Sequence, residues 1–159
     1  MKPDHIRPMR DGDISGIAQV FYEAVSHGAA AHYTAAQRRA WGGDTPNPNR
    51  WAERLIPLDV LVAQDDCGRI TGFFSVRLSD GLVDHMFVLP SRQGTGLGER
   101  LLERVEDMAR LEGLPRLWTE ASLLARPFLE RHDWYVVTTQ DVAVRGQVLR
   151  NFVMHRVLS

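Results

Sequence analysis

The chain has 159 residues, 44% of them apolar, and sets 19 basic against 20 acidic side chains for a net charge of −1. That length and apolar share support one domain with a real core and exclude a disordered chain, while the balanced charge removes the electrostatic footprint of a nucleic-acid binder. No apolar run nears the length of a bilayer span, the segment Lys2-Pro3-Asp4-His5 lacks the apolar stretch of a secretory signal, and a cytoplasmic protein with no membrane partner is the expectation.

Ile6 and its neighbours read as a short first strand. Asp11 or Asp13 is placed to cap a helix with Ile14, Ile17, Val20, Phe21, Ala24 and Val25 on one face. Thr34 caps a short helix through Trp41, and the Gly/Pro/Asn-rich residues 42–49 are a loop. A third helix over about Asn49–Ile56 carries Trp51 and Leu55. Val60–Ala63 and Ile70–Leu78 form a hairpin around Asp65-Asp66-Cys67-Gly68, whose lone cysteine has acidic neighbours and no base, so an inert thiol is expected. The scattered histidines form no His-x-x-x-His or Glu-x-x-His pair, and no metal site is expected. Ser79-Asp80-Gly81 turns the chain into a strand from Leu82 that Pro90 stops.

Gln93-Gly94-Thr95-Gly96-Leu97-Gly98 follows that strand, and Leu97, Leu101, Leu102, Val105, Met108 and Leu111 then recur at helical spacing. Strand, glycine loop, helix is an order that aims free N–H groups at one point. The first helical turn leaves its donors unpaired and carries roughly half a positive charge, which favours a phosphate. Glycines at 94, 96 and 98 leave no Cβ to block a ligand. No lysine follows them as a Walker loop requires, and the spacing does not match a dinucleotide fingerprint.

The long helix ends near Gly113, with Pro115 beyond. Leu117–Ala121 is a fifth strand, parallel to the fourth because a helix joins them. Ser122–His132 reads as a helix that tolerates Pro127 only if its first turn is irregular or starts late. Trp134–Val144 and Leu149–Leu158 close the chain as a hairpin around Arg145-Gly146. The expected architecture is α/β: a mixed seven-stranded sheet, mostly antiparallel with one parallel pair, and helices on both faces.

The pattern Gln/Arg-x-x-Gly-x-Gly/Ala after a strand ending Phe87-Val88-Leu89-Pro90 resembles the GCN5-related N-acetyltransferases. Arg7-Pro8-Met9-Arg10-Asp11-Gly12-Asp13 is similar to their first strand and helix start, and Ala125-x-x-Phe128 through Trp134 to their last helix and following strand. His32-Tyr33-Thr34-Ala35-x-Gln37-x-x-Ala40-Trp41, Thr119-Glu120-Ala121-Ser122 and Arg150-Asn151-Phe152-x-Met154 resemble the YafP-type branch. The resemblance covers nearly the whole chain and implies one acetyltransferase domain over residues 1–159.

It also implies acetyl-CoA as co-substrate. Pyrophosphate would rest on Gln93, Gly94, Thr95, Gly96, Leu97 and Gly98, with Arg92 as a further cation. Phe87 and Val88 would hold the pantetheine arm along a splayed strand edge, and Ser122, Ala125 and Phe128 would wall the other side. An amine of pKa near 10.4 costs about 4–5 kcal/mol to deprotonate at pH 7, so a general base is expected. Asp84 is the first candidate, and Glu120 at the end of the fifth strand follows. His85 would point to the opposite face unless a bulge intervenes. Leu129 stands where many of these enzymes carry an acidic tyrosine, and His132-Asp133-Trp134 replaces the usual Gly-Phe. Tyr33, Tyr135 or water could protonate the thiolate instead. Phe21, Tyr22, His32, Tyr33, Gln37 and Trp41 are candidates for the acceptor pocket. Three functions are open: transfer to a small-molecule primary amine in a ternary complex, acetylation of a protein lysine or N-terminus, and non-catalytic acyl-CoA sensing. The C-terminal hairpin offers an edge for a homodimer.

Overall fold

Buried residues alternate along the strands, and that alternation decides which helix covers which side of the sheet. The computed structural model describes residues 2–159. In chain order the elements are β1 (His5–Pro8), α1 (Ile14–Glu23), α2 (Ala35–Gly42), α3 (Pro48–Arg54), β2 (Asp59–Gln64), β3 (Ile70–Arg77), β4 (Leu82–Val88), α4 (Leu97–Leu111), β5 (Arg116–Ser122), α5 (Ala125–Glu130), β6 (Tyr135–Val144) and β7 (Gln147–Val157). The seven strands lie in the order β1-β2-β3-β4-β5-β7-β6. Every neighbouring pair is antiparallel except β4–β5, as the sequence leads one to expect.

On one face Phe74, Val76, Val83 and Leu117 pack under α4 and α5, against Leu97, Leu101, Leu102, Val105 and Leu129. On the other, Val60, Val62 and Phe73 pack under α1 and α3, against Ile17, Val20, Phe21, Trp51 and Leu55. Leu111 at the end of α4 is exposed, whereas its Leu97, Leu101, Leu102 and Val105 are at most 3% exposed. At roughly 1.5–3 kcal/mol per large apolar side chain, they fix the helix, and with it the loop that precedes it, on the sheet.

Four local features depart from the sequence reading or refine it. Asp13 does not cap α1 through its side chain. Its carboxylate takes two bonds from the buried Arg7 guanidinium, at 2.7 and 2.9 Å, and one from the Arg10 N–H at 2.7 Å. The helix opens instead through a 3₁₀ turn, Asp11–Asp13, and the ion pair ties β1 to it. At its far end α1 widens into a π turn, Ala24–Gly28, which no sequence signal announces. α5 starts late, at Ala125, so Pro127 falls in its first turn, where its missing N–H costs nothing. Thr34 Oγ1 accepts the Gln37 N–H and the Thr34 N–H donates to Gln37 Oε1, the capping box that starts α2.

β4 is where the sheet becomes functional. Only Leu82, opposite Trp118, pairs it to β5, and the strands then diverge. On its other edge Ser75 faces His85 while Val76 faces Val83, leaving Asp84 as the extra residue of a β-bulge. The bulge puts Val83 into the α4 core and turns His85 to the opposite face, beside Trp51 and Phe73.

Candidate active site

The loop before α4 is built for close backbone approach. Gly94 and Gly96 sit at φ 74° and 88°, in the left-handed region, and a Cβ on either would meet nothing within 4 Å. Among the described residues the N–H groups of Gly94, Gly96, Leu97, Gly98 and Glu99 have no hydrogen-bond partner. Gly98 serves differently from the expectation: a Cβ there would meet the Phe128 ring at 3.2 Å, so this glycine lets α5 close on α4. Leu97 is buried in the core and can serve a ligand only through its backbone, while Thr95 gives both its hydroxyl and its N–H, the latter at 3.3 Å, to the Arg92 carbonyl.

Arg92 is not a free cation. Its Nε donates to Asp4 Oδ2 at 2.7 Å, and Asp65 lies 3.9 Å away. Burial would raise the Asp4 carboxyl, but bonds from Arg92 and Thr71 hold it below the usual carboxylate range. Arg131 lines the same groove and has no acidic partner among the described residues.

Two cavities, each about 380 Å³, flank the splayed strands. The first is a groove containing Phe87, Val88, Gln93, Gly94, Gly98, Ser122, Ala125 and Phe128, with Ala24 and Ala29 from the π turn and its exit. The second is lined by Asp84, His85, Glu120, Tyr33, Phe21 and Trp41, roofed by α2 and α3 and closed by the β6–β7 hairpin. They share Trp41, Met86, Phe87, Ser122 and Ala125, so they are two ends of one passage. Past Leu82 the β5-facing edge of β4 has no ladder, and only the Thr119 hydroxyl bridges the gap, donating to the Val83 carbonyl at 2.7 Å.

The acid–base candidates separate clearly. Asp84, on the bulge, keeps its side chain about a third exposed (35%), 3.8 Å from His85 Nε2. His85 is 4% exposed, its Nδ1 lies 2.7 Å from Ser75 Oγ, and its Nε2 has no partner. Burial, and then the Arg54 charge, push the imidazole down to about 3, so it stays neutral; Nε2 is an acceptor in the tautomer that keeps its proton on Nδ1, toward Ser75 Oγ, and a donor in the other. Glu120 is exposed at the rim. Tyr33 is buried, and its hydroxyl donates to the Arg150 carbonyl and accepts the Leu123 N–H, both at 2.9 Å. Burial raises the phenol above its ordinary value, partly offset by the Leu123 bond. The geometry thus gives Tyr33 a positioning role, clamping β7 to the β5–α5 turn, rather than that of a proton donor.

Leu129 is fully buried in the α4 core and lines neither cavity, so that position carries no group toward the passage. Tyr135 is on the outer strand and lines neither. His32 belongs to the groove, not to the second cavity; Tyr22 lines neither; Gln37 bonds the Val148 carbonyl on the surface. The sequence reading also missed Arg50, Arg54, Arg145 and Asn151, which line the second cavity from three separate segments. No spacing in the chain links them.

A glycine loop opening a helix beside a splayed parallel strand pair is the frame of an acyl-CoA-dependent transferase. The model of the acetyltransferase (GNAT) domain matches residues 29–155, and the chain belongs to that family. It is 32% identical to the uncharacterized N-acetyltransferase YafP of Escherichia coli (strain K12) over 149 residues, 94% of this chain and 93% of that protein. It is 37% identical over 114 residues to the L-amino acid N-acyltransferase MnaT of the same organism, 66% of this chain and 62% of that one. Among solved structures, that of yncA from Salmonella typhimurium with its cofactor acetyl-CoA superposes with a TM-score of 0.71 at 24% identity, covering 99% of this chain and 95% of that one. The relatives are acyltransferases, and the domain is that of an acyltransferase enzyme.

Proposed function

We propose that the protein transfers an acetyl group from acetyl-CoA directly to a primary amine of a small molecule, within a ternary complex. The observation that carries this is the meeting of the two cavities at Phe87 and Ser122, which allows donor and acceptor to enter from opposite ends. The groove fits the co-substrate: the space beside Gly94 and Gly96 is what a Cβ would fill, and five free N–H groups border it. Bound there, acetyl-CoA supplies a reactive thioester. The unpaired edge of β4 at Val88 holds the arm and donates to the carbonyl oxygen as charge develops on it, while Phe87, whose backbone is turned to β3, contributes its ring to the wall.

On the acceptor side Asp84 receives the proton of the incoming ammonium, and His85, with its own proton on Nδ1 toward Ser75, accepts a second N–H at Nε2 and orients it. Ser122 Oγ accepts the Ala125 N–H at 3.0 Å, which leaves its own hydrogen for the departing thiolate. A thiol of pKa roughly 8.5 leaves readily near neutral pH, so this donor assists rather than decides. A cavity of about 380 Å³ under α2 and α3 suits a small molecule better than a folded protein surface, and MnaT is named for action on L-amino acids.

Calorimetric titration of the intact protein with acetyl-CoA, repeated with Gly96→Glu, tests the foundation. Micromolar binding that the substitution abolishes is the expected result. An intact protein that binds no acetyl-CoA ends the transferase reading.

A further inference from the structure

The second cavity is electrically divided. On the β4–β5 side it presents the carboxylates of Asp84 and Glu120, and on the side of α3 and the β6–β7 turn it presents Arg50, Arg54 and Arg145. None of these three arginines has an acidic partner within 4 Å among the described residues. Arg150, which also lines the cavity, is neutralised by Asp141, with Nε at 3.0 Å from Oδ1. The unpaired three repel each other: burial, then the charges of Arg54 and Arg145, push the Arg50 guanidinium below its ordinary value.

Two further facts mark the arrangement as built. Arg145 occupies a turn position at φ 45°, where asparagine or glycine would sit without strain, and its Nη1 is held by the Ala40 carbonyl at 3.4 Å. Within the cavity, His85 Nε2 and Asn151 Oδ1 are buried polar atoms with no partner; Asn151 Oδ1 accepts a bond, and His85 Nε2 does so with its proton on Nδ1. A ligand that donates N–H at one end and carries an anion at the other satisfies both ends together. Resting on the proposed transfer to a small amine, we infer that the acceptor is a carboxylate-bearing amine of the amino-acid class, its ammonium at Asp84 and its carboxylate on Arg50, Arg54 and Arg145. Guanidinium forks match a carboxylate better than any other side chain, and anchoring it there aims the amine at the β4 edge.

The test compares kcat/KM for a panel of free L-amino acids with that for their α-amides, using the intact protein and acetyl-CoA. The acids should be favoured by about ten- to a hundredfold, the usual loss when a charge-assisted hydrogen bond is removed. Arg54→Gln and Arg145→Asn should raise KM for the acids by a similar factor, so that the preference for acids over amides collapses, and should preserve acetyl-CoA binding. Raised salt should penalise acids more than amides. Equal rates for acids and amides, or variants that slow both alike, overturn the inference. So does acetyl-CoA binding with transfer to amides or simple amines only, or to none of the panel. Loss of acetyl-CoA binding by the unmodified protein strikes instead at the transferase reading beneath it.

Discussion

Asp84 and Ser122 occupy the two ends of the proposed proton path, and they should fail differently. Asp84→Asn removes the base, and kcat/KM is expected to fall by roughly 10²–10⁴, the usual span for general-base loss. Ser122→Ala should cost only about tenfold in kcat, because the thiolate needs little help, and should leave acetyl-CoA affinity intact. Steady-state rates across pH 6–9 decide it: an Asp84→Asn enzyme as fast as wild type at neutral pH moves the base to Glu120. The two arginines of the cofactor groove make a second contrast. Arg131 has no acidic partner, so Arg131→Ala should weaken acetyl-CoA binding about three- to tenfold while stability changes by less than about 0.5 kcal/mol. Arg92 neutralises the largely buried Asp4, so Arg92→Ala should cost about 1–2 kcal/mol of stability, with the smaller effect on affinity. Titration and urea unfolding of both variants separate the roles, and the reverse pattern would make Arg92 the phosphate ligand.

Among the elements, junctions hold what the sequence hides. The α5–β6 turn places Asp133 at φ 69°, the left-handed site that glycine fills freely. Asp133→Gly should therefore stabilise the protein by about 0.5–1 kcal/mol, read as a raised urea midpoint with unchanged slope; a lowered midpoint would show that Asp133 makes a compensating interaction. The periodic segments were legible because their patterning is local: α4 with its apolar stripe, the strands with their alternation, and the Thr34–Gln37 box are each written within a few residues. Asp13 shows where local reading stops. Its type and position suit a helix cap, but Arg7 on β1 takes the carboxylate, a contact only the tertiary fold creates. The bulge at Asp84 is likewise a property of the β3–β4 register, not of β4 alone, and it decides which face His85 joins. The glycine loop could be found because one segment carries all its parts. The arginines of the second cavity come from α3 and from a distant turn, so no window of sequence contains them.

At the scale of the whole molecule, the sheet does two things at once: its two faces carry the cores, and its splayed centre carries the chemistry. His85 sits on both accounts, packed edge-on to Trp51 at a ring separation of 4.7 Å and lining the acceptor cavity. That double position couples global stability to pH. The folded imidazole titrates only near 3, whereas the unfolded one titrates near its ordinary 6.5. As pH falls below about 6.5 the unfolded chain takes up a proton that the folded chain refuses, and stability is lost until about 3 at up to about 1.4 kcal/mol per pH unit. The carboxylates of Asp4 and Asp13 are held low in the fold, so their own loss begins only as the pH approaches the unfolded value near 4. Between pH 6 and 5 the slope therefore belongs mainly to His85, with a smaller part from His155, whose imidazole is also held below its ordinary value by burial and then by the Arg116 charge. Urea unfolding at half-unit steps should show stability falling by about 1 kcal/mol over that interval in the wild type and clearly less in His85→Gln, whatever the variant's overall stability. Parallel curves for the two proteins would mean that the imidazole reaches solvent in the folded state, and its part in holding the acceptor amine would fall with its burial.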